Sequence, residues 1–171
     1  MKRSILIAAV LLAGGGLLMA KKTSPAPAPN GIELPADFAD WRLVSASMRA
    51  DNDTMRAVLG NKAAMRAARE GRVNPWPDGA VLAKVVWRRV DMEEWSTASV
   101  PGAFVQVEFM IKNSRKYPET GGWGFARWLG NELKPYGQDA GFVKECFSCH
   151  QPVKDRDYVF TRPAAMPLAG R

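Results

Sequence analysis

The chain has 171 residues, 47% of them hydrophobic and 24% charged, which is the composition of one ordinary globular domain large enough for a core and a cofactor pocket. Its formal charge of +7 falls to +3 without Lys2, Arg3, Lys21 and Lys22. This balance gives no reason to expect a nucleic-acid partner, and only weakly favours an anionic membrane face or an acidic redox partner.

Residues 1–20 have the layout of a signal peptide. Lys2 and Arg3 precede an apolar run that is broken by three glycines and extends to Ala20. An uncleaved membrane anchor is the alternative, because the run is close to the shortest length that spans a bilayer and Leu18 fits poorly into a cleavage site. In both cases the body is exported, so we predict a periplasmic protein, either free or tethered to the inner membrane.

The segment 21–31 is rich in proline and alanine, which predicts a stiff, extended linker that contacts no core. The single folded domain then comprises residues 32–171. Within it, a helical turn is predicted at 34–38, and Asn61 is predicted to cap a helix over 62–70. The apolar patterns predict strands over residues 41–48, 54–59, 81–89, 103–112 and 123–129. A helix over 139–150 and a short extended piece at 157–161 complete the domain.

Two of these strands have one apolar face and one mixed face. In 81–89, Lys84 lies between Leu82 and Val86 on a face that is not freely solvated. In 103–112, the mixed face consists of Phe104, Gln106, Glu108, Met110 and Lys112. Such a face is typical of a cofactor-lining surface and equally of a half-exposed sheet, and the pattern alone does not distinguish them.

The most specific motif is CxxCH, formed by Cys146, Cys149 and His150. Two cysteines separated by two residues and followed by histidine are the attachment motif of a c-type haem, in which the thiols bind the haem vinyl groups and the histidine binds iron. A disulfide or redox dithiol would not need the histidine. A zinc site would need more ligands than the 2 Cys and 1 His of the whole chain provide. We therefore predict one covalent haem c.

His150 is the only histidine, so two histidines from one chain cannot both bind the iron. A sixth ligand would be methionine, lysine, water or nothing. Met166 follows the motif closely, whereas electron-transfer cytochromes place their methionine far downstream of an early CxxCH. We therefore predict an open or weakly occupied distal position, which favours binding or chemistry on a small molecule.

In this order, the motifs resemble those of the cytochrome P460 family, with the β-type cytochromes c′ as relatives. The resemblance covers most of the mature chain, from about residue 41 to 161. Its landmarks are Trp41-Arg42-Leu43-Val44, Arg56, residues 77–84, residues 110–114, Gly121-Gly122-Trp123-Gly124-Phe125, Glu145 with CxxCH, and residues 157–161. The resemblance implies an α+β fold, mainly an antiparallel β-sheet with a few short helices, whose C-terminal helix carries CxxCH.

The resemblance also implies roles for single residues. Lys84 matches the lysine that such enzymes join covalently to a porphyrin meso carbon; the alternative is a strand lysine whose ammonium reaches water. Arg56 matches an arginine of the haem pocket, or is an ordinary sheet arginine. Enzymes of this kind also use a distal carboxylate, which no motif places in this chain. Glu108 is the first candidate because it shares the mixed face of its strand, and the alternative is a surface carboxylate. Glu145 is expected to pair locally, and Phe104 to line the distal side or to pack.

The implied activity is oxidation of hydroxylamine, together with nitric oxide or an oxidant, with electrons leaving to a redox partner such as another cytochrome c. The alternative is a non-enzymatic protein that binds nitric oxide or other gases, like the β-type cytochromes c′. A plain electron carrier is disfavoured by the late motif and the single histidine. Membrane anchoring through the N-terminal segment and homodimer formation are left open.

Overall fold

A computed structural model of the protein describes residues 24–165. Within them, each strand pairs with the next one in the chain, which gives an antiparallel sheet in the order β1 to β6. The strands are β1 (Arg42–Arg49), β2 (Thr54–Gly60), β3 (Val81–Met92), β4 (Trp95–Lys112), β5 (Trp123–Leu129) and β6 (Lys134–Pro135). The helices are α1 (Lys62–Arg69) and α2 (Val143–His150), with short 3-10 turns at Phe38–Asp40, Pro118–Thr120, Ala140–Phe142 and Gln151–Arg156. The predicted α+β fold with CxxCH on the C-terminal helix is confirmed.

Helix α1 begins where the sequence predicts. The Oδ1 atom of Asn61 accepts a hydrogen bond from the backbone N–H of Ala64 at 2.9 Å, which satisfies one of the free donors of the first turn. The same side chain joins the helix to the start of β3, since Oδ1 also accepts from Val81 N at 3.1 Å and Nδ2 donates to Gly79 O at 2.9 Å. Asn61 therefore fixes the end of β2, the helix and the entry to β3 together.

Both faces of the sheet bury apolar side chains. One face packs Val85, Phe109 and Trp128 against the N-terminal segment. The other packs Val58, Leu82 and Phe125 against the two helices. The face of β3 that carries Lys84 is thus largely buried, as its apolar neighbours Leu82 (4% exposed) and Val86 (3% exposed) indicate.

A β-bulge at Val105 changes the alternation that the sequence predicts for β4. Val86 pairs with Gln106, but the next residue, Trp87, pairs with Phe104, which leaves Val105 without a partner on β3. One extra residue in a strand moves the following side chains to the other face. Phe104 therefore packs beside Trp87 in the core opposite to Lys84, which is the packing alternative and not the distal one.

The N-terminal segment is more than a linker. Ala28 is 3% exposed within a core cluster, and the Nε1–H of Trp128 donates to the carbonyl of Ala26 at 2.9 Å. Asn30 Nδ2 donates to Phe125 O at 2.8 Å. The expectation that residues 21–31 contact no core is wrong for the part that the structure describes, because these carbonyl and amide groups satisfy polar groups at the edge of the buried sheet.

The predicted extended piece at 157–161 is also absent. Asp157 and Tyr158 both adopt left-handed conformations, with φ of 51° and 62°, and form a tight turn. Asp157 also forms a buried ion pair with Lys112 of β4. Among residues 24–165, none of the helices combines the length and the apolar character that crossing a bilayer requires. The predicted signal segment and Met166 lie outside the described residues.

Candidate functional site

A cavity of about 610 Å³ lies between α2 and the sheet face that carries Lys84. Its volume is within the range of roughly 300–1,000 Å³ that is typical of cofactor and ligand pockets. Six residues to which the sequence analysis assigned a role in binding or catalysis line it: Arg56, Lys84, Glu108, Cys146, Cys149 and His150. Residues from β2, β3, β4 and the C-terminal helix, up to 94 positions apart in the chain, thus meet in one place.

Helix α2 presents the CxxCH side chains toward this cavity. Cys146, Cys149 and His150 lie at positions i, i+3 and i+4, which share one face of a helix. Both cysteines are free thiols; Cys146 is half-buried and Cys149 exposed. Burial raises the pKa of the Cys146 thiol, against the lowering effect of nearby Arg127. Both sulfurs therefore border the same cavity, as covalent attachment of a haem requires.

The ring of His150 is held by the turn after the helix. Its Nδ1 lies 2.7 Å from the carbonyl oxygen of Tyr158. Since a carbonyl can only accept, Nδ1 carries the proton, and the lone pair of Nε2 is free for a metal. Burial lowers the pKa of His150, which favours the neutral ring that binds iron. Phe125 and Phe160 flank the ring with centroids 5.3 and 5.2 Å away.

The register of the sheet brings a row of charged side chains to the cavity. Lys84 on β3 pairs with Glu108 on β4, which in turn pairs with Arg127 on β5. Lys84 Nζ lies 2.5 Å from Glu108 Oε2, and Arg127 Nε lies 3.4 Å from Glu108 Oε1. Gln106 also donates a hydrogen bond to Glu108. The carboxylate is therefore held between two cations and an amide.

Arg127 was missed by the sequence analysis. Its guanidinium lies 4.4 Å above the ring of Tyr136, and Nη1 lies 3.7 Å from Oε1 of Glu145. Tyr136 donates to the other carboxylate oxygen of Glu145 at 2.7 Å, so the local pairing expected for Glu145 is present. The sequence contained a signal for Arg127, because this residue shares one face of β5 with Trp123 and Phe125. Lys84 likewise shares one face of β3 with its apolar neighbours.

Two buried N–H donors in the cavity indicate whether a haem fits it. The Nε atoms of Arg56 and Arg127 are buried and have no hydrogen-bond partner among the described residues, so the contact of Arg127 with Glu108 is an ion pair only. An unpaired buried donor costs about 1–3 kcal/mol. Burial and the neighbouring Arg49 lower the pKa of Arg56, which an anionic partner would reverse. The propionates of a haem are such anions, so the thiols, the free Nε2 and the unpaired donors together fit this cofactor.

Comparison with known proteins agrees with this geometry. The sequence matches the family described as Cytochrome P460 over residues 35–161, a span that contains all six site residues. No curated protein matched the chain.

Proposed function

The chain belongs to the cytochrome P460 family, and on this premise we propose that it is an exported mono-haem c-type cytochrome that oxidises hydroxylamine. The observation that carries the proposal is the common cavity: Lys84 and Glu108 line the same space as Cys146, Cys149 and His150. A cofactor attached to the two cysteines would therefore lie within reach of a lysine amine and of a carboxylate.

In this proposal four residues of the chain hold one haem. Cys146 and Cys149 would hold it through thioethers, and Nε2 of His150 would bind the iron. Arg56 pairs with a propionate. When bound, the haem supplies a redox-active iron with an open coordination position for a small nitrogen compound.

Lys84 would be the residue joined to the porphyrin ring. Joining the neutral amine to a meso carbon would replace a C–H bond by a C–N bond and release two protons and two electrons, so the bond would form only with an external two-electron oxidant. The amine must first lose the proton of its ammonium form, and the carboxylate of Glu108, 2.5 Å from Nζ, is in place to accept it. A lysine amine that is bonded to the ring no longer carries the ammonium charge. Glu108 would then keep Arg127 and Gln106 as partners and face the cavity as a proton acceptor.

The overall reaction needs such an acceptor. Conversion of two hydroxylamine molecules to one nitrous oxide and one water releases four protons and four electrons. Glu108 would accept protons from the bound substrate and pass them toward water, and a redox partner such as another cytochrome c would take the electrons. Simple gas binding releases no protons, so a carboxylate in the cavity favours the enzyme over a non-catalytic nitric-oxide-binding protein.

Export is part of the same proposal. The N-terminal segment 1–20 has the layout of a signal peptide. Haem attachment to CxxCH takes place on the outer side of the bacterial inner membrane, which is why we place the working protein in the periplasm.

The experiment is a steady-state assay of the haem-loaded protein with hydroxylamine and an artificial electron acceptor. We expect reduction of the acceptor with formation of nitrous oxide or another nitrogen oxide. Glu119→Gln, which changes an exposed carboxylate of the Pro118–Thr120 turn, serves as the control and should keep full activity. No turnover combined with tight binding of nitric oxide would contradict the proposal in favour of a gas-binding protein.

A further inference from the structure

A buried ion pair lies outside the cavity and behind helix α2. Lys112 Nζ is 2.6 Å from Asp157 Oδ1, and the two side chains are only 8% and 7% exposed. Lys112 also donates to the carbonyl of Gly121 at 3.1 Å, and its Nζ lies 4.9 Å from the centre of the Trp123 ring. Buried charges are costly unless they are paired in this manner, and neither residue belongs to the lining of the cavity. The proposed chemistry leaves this pair without a role.

The ion pair is the centre of a set of contacts that hold Asp157. Its second carboxylate oxygen accepts from the backbone N–H of Trp76 at 2.8 Å. Its carbonyl accepts from the Nε1–H of Trp123 at 2.8 Å, and its own N–H donates to Lys154 O at 3.0 Å. Both carboxylate oxygens and the carbonyl of Asp157 are thus held by residues distant in sequence, and its amide is held by the preceding turn.

This fixation explains an unfavourable backbone conformation. Asp157 and Tyr158 are consecutive residues with φ of 51° and 62°, a region that side chains other than glycine adopt rarely. Such residues persist where the surrounding contacts determine them. The side chain of Tyr158 packs against Gly121. A Cβ atom on Gly121 would lie only 2.1 Å from a carbon of the Tyr158 ring. Gly121 thus contacts both the lysine and the tyrosine.

The turn ends at the haem-binding histidine. The carbonyl oxygen of Tyr158 is the group that lies 2.7 Å from Nδ1 of His150. A short chain of contacts therefore connects the ion pair of Lys112 and Asp157 to the ring that would bind the iron.

We propose that Lys112 and Asp157 are positioning residues for the axial ligand: they hold the Tyr158 carbonyl against His150 and so set the reduction potential of the bound haem. A hydrogen bond to the distal nitrogen of a ligating histidine fixes its tautomer and raises the basicity of the ligand. A more basic ligand stabilises ferric over ferrous iron. The inference rests on the proposed function only in taking His150 as the axial ligand.

The first test compares reduction potentials of the haem-loaded protein and the double variant Lys112→Met/Asp157→Asn. The double change removes both charges and keeps the sizes similar, so that no unpaired buried charge is left. We expect a more positive potential, because the hydrogen bond to Nδ1 weakens. The shift should correspond to about a tenfold change in the ferric-to-ferrous equilibrium, which is about 59 mV for one electron.

Lys116→Met is the matched control. Lys116 is an exposed lysine of the same loop region whose ammonium lies over the ring of Tyr117, and no contact joins its side chain to Asp157 among the described residues. The reduction potential of this variant should equal that of the unsubstituted protein. A folded, haem-loaded double variant with an unchanged potential would overturn the inference.

The second test uses the unsubstituted protein and stays decisive if the double variant does not fold. Hydrogen exchange of the ring protons is followed by NMR in the diamagnetic ferrous carbon monoxide form. The Nδ1–H of His150 and the Nε1–H of Trp123, which donates to Asp157, should show equal protection because they open as one unit. If the His150 proton is at least tenfold less protected than the Trp123 proton, the histidine ring opens independently, and the inference is refuted. A protein without histidine-ligated haem would instead refute the proposed function.

Discussion

The ammonium nitrogen of Lys84 lies 2.5 Å from a carboxylate oxygen of Glu108, and the two residues face each other across β3 and β4. Their side chains are 33% and 19% exposed, so the pair borders the cavity instead of the open surface. A lysine that is ion-paired at the wall of a cofactor cavity is held in one place and has a base beside it. The two side chains therefore carry different parts of the proposed function, and they can be tested separately.

Lys84→Ala should abolish the spectral effect of a modified porphyrin. We expect the ferrous absorption of the unsubstituted protein to be shifted far to the red, and the alanine variant to show an ordinary c-type spectrum, because the amine that joins the ring is gone. Lys62→Ala, which removes an exposed lysine at the start of α1, is the control and should keep the shift. An ordinary c-type spectrum in the unsubstituted protein would exclude the cross-link.

Glu108→Gln should slow turnover. Because Glu108 would also take the proton that Lys84 loses, the optical spectrum must first show that the variant carries the cross-linked ring. The amide keeps the size and can still accept hydrogen bonds, but it cannot take up a proton. We expect kcat for hydroxylamine to fall by about 10²- to 10⁴-fold, the usual contribution of a general base. Steady-state kinetics and optical spectra of the two proteins provide the measurement. If kcat is unchanged, another group or water moves the protons.

The alternation of polar and apolar residues predicted the strands of the site but treated two lysines alike. Lys84 and Lys112 each lie on a strand face that contains both apolar and polar residues. The structure separates them, because Lys84 borders the cavity while Lys112 is buried against Asp157. The difference depends on a partner 45 positions later in the chain and on the turn that holds it. Local periodicity contains no information on such a pairing.

Shifts in strand register set a second limit on what the sequence predicts. The sequence predicted β5 at its observed bounds, Trp123–Leu129, and placed Glu108 on the correct face. The bulge at Val105, directly before Gln106, places Phe104 in the opposite core. A bulge is decided by the packing of both neighbouring strands. In β4 the alternation therefore predicts the face of a residue only from Gln106 to Lys112, where the pairing with the neighbouring strands is regular.

Asn61→Ala should destabilise the entry to β3. The substitution removes the cap of α1 and the hydrogen bonds to Gly79 and Val81. We expect the free energy of unfolding to fall by about 1–2 kcal/mol, the upper part of the range for loss of an N-cap. Denaturant unfolding measures it. Asn61→Asp keeps the acceptor oxygen and should lose less; an equal loss for both variants would mean that capping is not the cause.

The contact between Asp78 and Ser114 should make stability depend on pH in the acid range. Both the backbone N–H and the hydroxyl of Ser114 donate to the carboxylate, at 2.9 and 2.7 Å, and these bonds hold the pKa of Asp78 below its usual value. Because the folded pKa is lowered, the stabilisation is complete above the unfolded pKa of about 3.9 and is lost as the pH falls through the folded value.

The measurement is the difference in Tm between the unsubstituted protein and Ser114→Ala. This difference should be constant from about pH 7 to pH 5 and shrink below about pH 4, where the carboxylate becomes protonated in the unfolded and then in the folded state. Asp37→Asn is the control, because the side chain of this exposed aspartate makes no capping hydrogen bond. A difference that stays constant down to pH 2 would contradict the prediction, since the serine would then stabilise the turn without acting through the charge of Asp78.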